Sequence, residues 1–198
     1  TQDMGASEGI VTRAFRECWS KIGKAAQSHK GNRYTVFASY FEVYNEHVFD
    51  LLNMTGVPLP VRHKSTSDEF YVPGLFEVNC TSLEDALAVL TEGQANRRVA
   101  PHGLNQDSSR SHSLLTLRIV IDGPQDYRGP TSPNSPGAHG SKCGKLVFVD
   151  LAGSERLKRS LCENADETGA INLSLFTLAK VISVLADSEE NKREASSG

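Results

Sequence analysis

Two short stretches of this chain carry residues whose types and spacing could do chemistry. The first is Lys145-Leu-Val-Phe-Val-Asp-Leu-Ala-Gly-Ser-Glu-Arg156. Leu146 to Val149 form a continuous apolar run of strand formers, which suits a strand buried on both faces. Asp150 stands at its end, and Ala152-Gly153-Ser154 softens the chain behind it. In an open α/β sheet, ligands bind beyond the carboxyl ends of the strands. A carboxylate there can hold a hydrated Mg2+ next to a phosphate. Gly153 can offer an unshielded backbone N–H to a phosphate oxygen, because it has no Cβ in the way. The plainer reading is a core strand running into a turn, with Asp150 as its cap.

The second stretch, Asn105-Gln-Asp-Ser-Ser-Arg-Ser-His112, lies upstream. It is a loop of small hydroxyls with one Arg and one Asn, and it leads into Ser113 to Ile121, which reads as a strand. Ser hydroxyls can ligate Mg2+ or bond phosphate oxygens. Arg110 can pair with a carboxylate in a planar, bidentate way. Alone, such a loop is usually a solvated turn. Together, the two stretches resemble the switch loops of the kinesin motor domain. The switch I pattern Asn-x-x-Ser-Ser-Arg-Ser-His stands complete at 105–112, and the switch II pattern Asp-Leu-Ala-Gly-Ser-Glu-Arg at 150–156. The similarity extends to Tyr40-Phe-Glu-Val-Tyr-Asn-Glu46 with Asp50-Leu-Leu52, to Asn96-Arg-Arg-Val-Ala100 and to Ile171-Asn-Leu-Ser-Leu175.

The resemblance implies an α/β fold: a three-layer, kinesin-like P-loop NTPase, its central sheet flanked by helices, truncated at both ends. It implies a partial motor domain over 1–187 with a microtubule-facing helix at 169–186; the residues after it, 188–198, are nearly all polar and read as a disordered tail. It implies ATP and Mg2+ as cofactors and microtubules as the partner. By the same carry-over, Ser108 and Ser109 bond the γ-phosphate and the Mg2+ shell, with Ser109 and Asp150 as the metal-holding pair. Asn105 helps to position the attacking water, and the Gly153 N–H senses the γ-phosphate. Arg110 and Glu155 form a salt bridge that closes when both switches are in place. Lys158, Arg159, Asn172 and Lys180 face tubulin. Without the resemblance, the three basic residues read as a solvated face.

The elements that must position these residues have their own signals. Val11, Phe15, Cys18 and Ile22 make one apolar stripe on a helix from Gly9 to Ala25. Tyr34 to Tyr44 reads as a strand, and Asn45 to Leu52 as the start of a short helix. Pro58 to Lys64 and Glu69 to Cys80 look like short strands in a small exposed sheet. Thr81-Ser-Leu-Glu84 is a capping box, opening a helix with the stripe Leu83, Ala86, Leu87 and Leu90. Gly123 to Gly144 is a Gly/Pro/Ser-rich hairpin loop. Gly169 to Ala186 is a helix whose buried face is Ile171, Leu175, Leu178, Ile182 and Leu185. Glu42 and Glu46 have the spacing of an acid/base pair, but the resemblance gives their segment a structural role. His63 has no ligand partners at metal spacing.

A chain of 198 residues with 38% hydrophobic and 23% charged residues fits one globular domain. A net charge of −3 decides nothing about an acidic partner such as the microtubule, which needs only a local basic patch. Cys18, Cys80, Cys143 and Cys162 are scattered and read as reduced thiols. No apolar run reaches membrane-spanning length, and nothing points to nucleic acid. The expectation is a cytoplasmic, cytoskeletal ATP-dependent microtubule motor, with any homodimer formed through regions outside these residues. The alternative is a non-catalytic kinesin segment that binds microtubules or a partner without hydrolysing ATP. The parent protein is expected to be a microtubule-stimulated ATPase. For these 198 residues the matter is open, since they contain no Gly-x-x-x-x-Gly-Lys-Ser/Thr phosphate cradle. Leu173 also departs from the family, which has a basic residue there.

Overall fold

The computed structural model describes residues 8–29, 31–66, 68–99, 111–123, 141–153 and 173–186. Its frame is a sheet built on β1 (Arg33–Tyr44), with β2 (His47–Asp50) on one side and β6 (His112–Asp122) then β7 (Lys142–Asp150) on the other. β5 (Val78–Cys80) also pairs with β1, and all these pairings are antiparallel. β3 (Arg62–Lys64) and β4 (Glu69–Tyr71) form a separate, exposed two-stranded sheet.

The period-2 alternation of β1 and β6 decides where the core sits. Val36, Ala38 and Tyr40 point to one face, opposite Ile119, Leu117 and Leu115. Two helices close that face: α1 (Ile10–Ser28) and α2 (Leu83–Val99). Phe15 of α1 is fully buried and meets Phe148 of β7 edge-on at 5.7 Å. Val11, Trp19 and Ile22 pack beside it, as the sequence stripe requires. On α2 the buried line is Ala86, Val89 and Gly93, flanked by Leu83, Leu87 and Leu90. A third helix, α3 (residues 173–186), meets the other face of the sheet through His112. The result is the expected layering of helices, sheet and helix.

Six expectations need correction. Asn45 to Leu52 is not a helix. Asn45 and Glu46 take positive φ (47° and 63°) and close a tight hairpin between β1 and β2. Asp50 then caps the next turn, its carboxylate accepting the N–H groups of Leu52, Asn53 and Phe76. The α2 cap is shifted by one residue. Ser82 Oγ accepts the Asp85 N–H at 3.1 Å, while Asp85 Oδ2 accepts from Ser82 N and from both Thr81 N and Oγ1. These donors hold the Asp85 carboxyl below its ordinary range, led by the Thr81 hydroxyl. β5 belongs to the main sheet rather than to the small one, and Gly144 lies inside β7 opposite Ile119, so the hairpin strands are longer than their apolar runs.

The last two corrections concern burial. β7 pairs with β6 alone among the described strands, so it stands at the edge of the described sheet. Leu146, Val147 and Val149 are therefore exposed, not buried on both faces. On α3, Leu178, Ile182 and Leu185 are exposed as well, and Leu175 is half-buried. The α3 stripe is real in spacing, but the described residues do not cover it.

Gly93 has a specific reason to be glycine. A Cβ there would lie 2.7 Å from Cε1 and 2.9 Å from Cγ of the buried Tyr40 ring. Replacing Gly with Ala in a helix normally gains about 1 kcal/mol. Overpacking here should cost about 1–3 kcal/mol and win. Gly93→Ala should therefore lower the urea midpoint, and adding Tyr40→Leu should recover part of the loss. An unchanged or raised midpoint in the single variant would contradict this packing.

Candidate functional site

The sheet register brings the two chemistry-bearing stretches side by side. Ser113, just past the first stretch, pairs with Asp150 of the second. Both strands end here because the apolar alternation ends: Ser111 and Ser113 precede Leu115, and Asp150 follows Val149. Ser111 and Ser113 are buried polar residues, 6% and 2% exposed, so their hydroxyls need partners.

Arg97 supplies them. It lies in the last turn of α2, with its side chain 11% exposed. Nη1 donates to Ser113 Oγ at 3.0 Å and to Asp150 Oδ2 at 2.6 Å. Nη2 donates to the Ser111 carbonyl at 2.9 Å and reaches the Ser111 hydroxyl at 3.4 Å. One guanidinium thus joins the end of α2, the start of β6 and the end of β7. A lysine could not do this, because a point charge lacks the fixed fork of donors. Hydrogen bonds to a charged group contribute about 1.5–3 kcal/mol each when shielded. The Asp150 bond is worth less, since that side chain is 71% exposed and water screens it.

His112 makes a second junction. Its Nδ1 accepts the Ala152 backbone N–H at 2.9 Å. An N–H can only donate, so Nδ1 carries no proton, and the neutral ring holds its proton on Nε2. That Nε2–H donates to Ser174 Oγ on α3 at 2.8 Å. Ala152 is 4% exposed, and its N–H is thereby satisfied.

Of the sequence-derived site residues, the structure places Asp150, Gly153 and Lys180. Asp150 ends β7 as expected, Gly153 is half-buried two residues beyond Leu151, and Lys180 is exposed on α3. Asn105, Ser108, Ser109, Arg110, Glu155, Lys158, Arg159 and Asn172 lie outside the described residues, as does the tail from 187. Glu42 is buried in β1 and Glu46 is exposed in the hairpin turn, so the two do not share one setting. His63 bonds Asp68 at 2.7 Å and lies against Phe70. Arg97 and His112 are the residues that sequence reasoning gave no role. The available signal was their place in the quoted motifs, Arg97 in Asn96-Arg-Arg-Val-Ala100 and His112 at the end of 105–112.

Asp150 keeps an exposed carboxylate at the strand end with one oxygen on Arg97, which fits a cation held through its water shell. Among the described residues, no group of three or more His, Cys, Asp or Glu could hold a metal.

Burial and the Arg97 charge hold the His112 imidazole below its ordinary value, opposed by the weaker pull of Glu46 and Asp150. The folded chain therefore favours neutral His112. Its contribution is fully present above the unfolded value of about 6.5 and is lost as pH falls through the lowered folded value. Urea unfolding measured from pH 7.5 to 5 should show stability falling with pH, and His112→Asn should flatten part of that slope. An identical slope in the variant would contradict the assignment.

Comparison with known proteins follows the same lines. The kinesin motor domain family model matches residues 2–195. Kinesin-like protein KIF22 from Danio rerio is 37% identical over 186 residues, covering 92% of this chain and 27% of that protein. Kinesin-like protein KIF12 from Mus musculus is 38% identical over 187 residues, covering 93% and 27%. Among solved structures, a KIF14 dimer bound with AMP-PNP to a microtubule superposes with a TM-score of 0.75 at 32% identity, over 95% of this chain and 51% of that one. A fast kinesin motor gives 0.69 at 30% identity, over 87% and 45%. The chain thus spans about a quarter of these curated relatives and about half of the solved chains. On the family match and these relatives together, the chain belongs to the kinesin motor domain family.

Proposed function

We propose that this chain is the switch-bearing part of an ATP-driven, microtubule-binding motor. What carries the reading is the meeting of its two switch segments on one arginine and one histidine. The exit of switch I, at Ser111 to Ser113, and the start of switch II, at Asp150 to Ala152, are tied to α2 and to α3. Phosphoryl transfer is mostly positioning and charge stabilisation, so a scaffold that fixes both segments is what such chemistry needs.

In this reading Ser108, Ser109 and Asp150 hold Mg2+·ATP, with Asp150 acting through water. The bound Mg2+ neutralises phosphate charge. The Gly153 N–H donates to the γ-phosphate. Asn105 orients the attacking water, and Arg110 with Glu155 locks the two loops together. Arg97 keeps the Asp150 carboxylate aimed past the strand end. Loss of the γ-phosphate contacts would release the loops, as in other nucleotide switches. Lys158, Arg159, Asn172 and Lys180 contact the acidic microtubule surface. Leu173, 58% exposed at the start of α3, adds an apolar side chain there instead of a charge.

A second reading is a kinesin segment that binds microtubules or a partner without hydrolysing ATP. One sequence fact favours it for these 198 residues taken alone: they carry no Gly-x-x-x-x-Gly-Lys-Ser/Thr run.

Co-sedimentation with stabilised microtubules tests the shared part of both readings. The chain should pellet at low salt and release as salt rises. Lys180→Glu should weaken binding several-fold, and Leu173→Lys should strengthen it, on the order of 1 kcal/mol per charge or less. Failure to pellet at any salt would sink the first reading and leave the second only its other partner. ATP turnover bears on the second reading: none is expected from the isolated chain, and microtubule-stimulated turnover would remove that reading.

A further inference from the structure

The contacts of His112 go beyond shaping one loop. Ala152 precedes Gly153, and its buried N–H is satisfied by a side chain on the neighbouring strand. The same ring reaches Ser174 in the first turn of α3. An imidazole is rigid and planar, so the two ring nitrogens keep a fixed separation. Ala152 and Ser174 therefore cannot move apart without breaking a bond to the ring.

We propose that His112 is a positioning residue that transmits displacement of the Ala152–Gly153 backbone to the first turn of α3 through its Nδ1 and Nε2 bonds. The proposal rests on the reading of Gly153 as the nucleotide-sensing backbone and of α3 as the microtubule-facing helix. It assigns the coupling between them to one side chain. A ring is required because one end must accept from a backbone N–H while the other donates to a hydroxyl. Asparagine can copy the accepting end, and glutamine the donating end. Neither does both.

Amide hydrogen exchange on the purified chain tests this, together with an NMR assignment of the His112 tautomer. The neutral ring should carry its proton on Nε2. His112→Gln should speed exchange at Ala152 about tenfold, the loss of one hydrogen bond's worth of protection. His112→Asn should leave Ala152 near the wild-type rate while loosening the first turn of α3. Ser174→Ala is the decisive variant, because it removes the Nε2 partner of the ring and leaves Nδ1 and the Ala152 N–H unaltered. It should still speed Ala152 exchange several-fold, since the ring loses its anchor. A proton on Nδ1, an unchanged Ala152 rate in His112→Gln, or no effect of Ser174→Ala at Ala152 would overturn the proposal. If His112 variants do not fold, the tautomer and Ser174→Ala still decide it. Microtubule co-sedimentation of the wild type is scored separately. A chain that does not pellet defeats the motor reading, while the exchange data still decide the coupling.

Discussion

The arrangement depends on one guanidinium. Arg97 is almost enclosed, and its bonds end on two strand termini: the Ser111 carbonyl and Ser113 hydroxyl at the start of β6, and the Asp150 carboxylate at the end of β7. An enclosed charge is tolerable only when its donors are used. Here the acceptors are the strand termini that carry the switch motifs. The need to satisfy Arg97 and the need to hold the two switches together are therefore met by the same contacts.

Arg97 can do this because α2 is held at several points. Ser82 and Asp85 cap its start. Gly93 lets the helix lie directly on the Tyr40 ring, and Asn96 bonds the Leu51 carbonyl at 2.6 Å. The helix end is thus set by the core face of β1, at a fixed distance from β6 and β7. On the other side of the sheet, Ser174 of α3 bonds the His112 ring at 2.8 Å.

The sequence made some of this legible and hid the rest for physical reasons. The α1 stripe and the β1 strand were readable because period and burial agree there. The switch motifs were readable from residue identity, and the register Ser113–Asp150 shows why they belong together. Asn45–Leu52 misled because a tight turn with Asn45 and Glu46 at positive φ carries no Gly to mark it. β7 and α3 misled in the other direction. Their apolar patterns state which faces want cover, and burial depends on neighbours that the described residues do not include. Arg97 and His112 stood inside motifs read from the sequence, Asn96-Arg-Arg-Val-Ala100 and 105–112, but a motif does not say what a side chain joins. Its partners are distant in sequence and meet only once the sheet has formed.

The central claim is that Arg97 and Asp150 act as a unit across the mouth of the two switches. A double-mutant cycle with Arg97→Lys and Asp150→Asn, read by urea unfolding, measures it most directly. Since Asp150 is well exposed, the coupling should be modest, about 1 kcal/mol, with the Arg97 variant alone more destabilising than the Asp150 variant. Additive effects, with coupling indistinguishable from zero, would mean that the contact is incidental and that α2 does not hold the second switch.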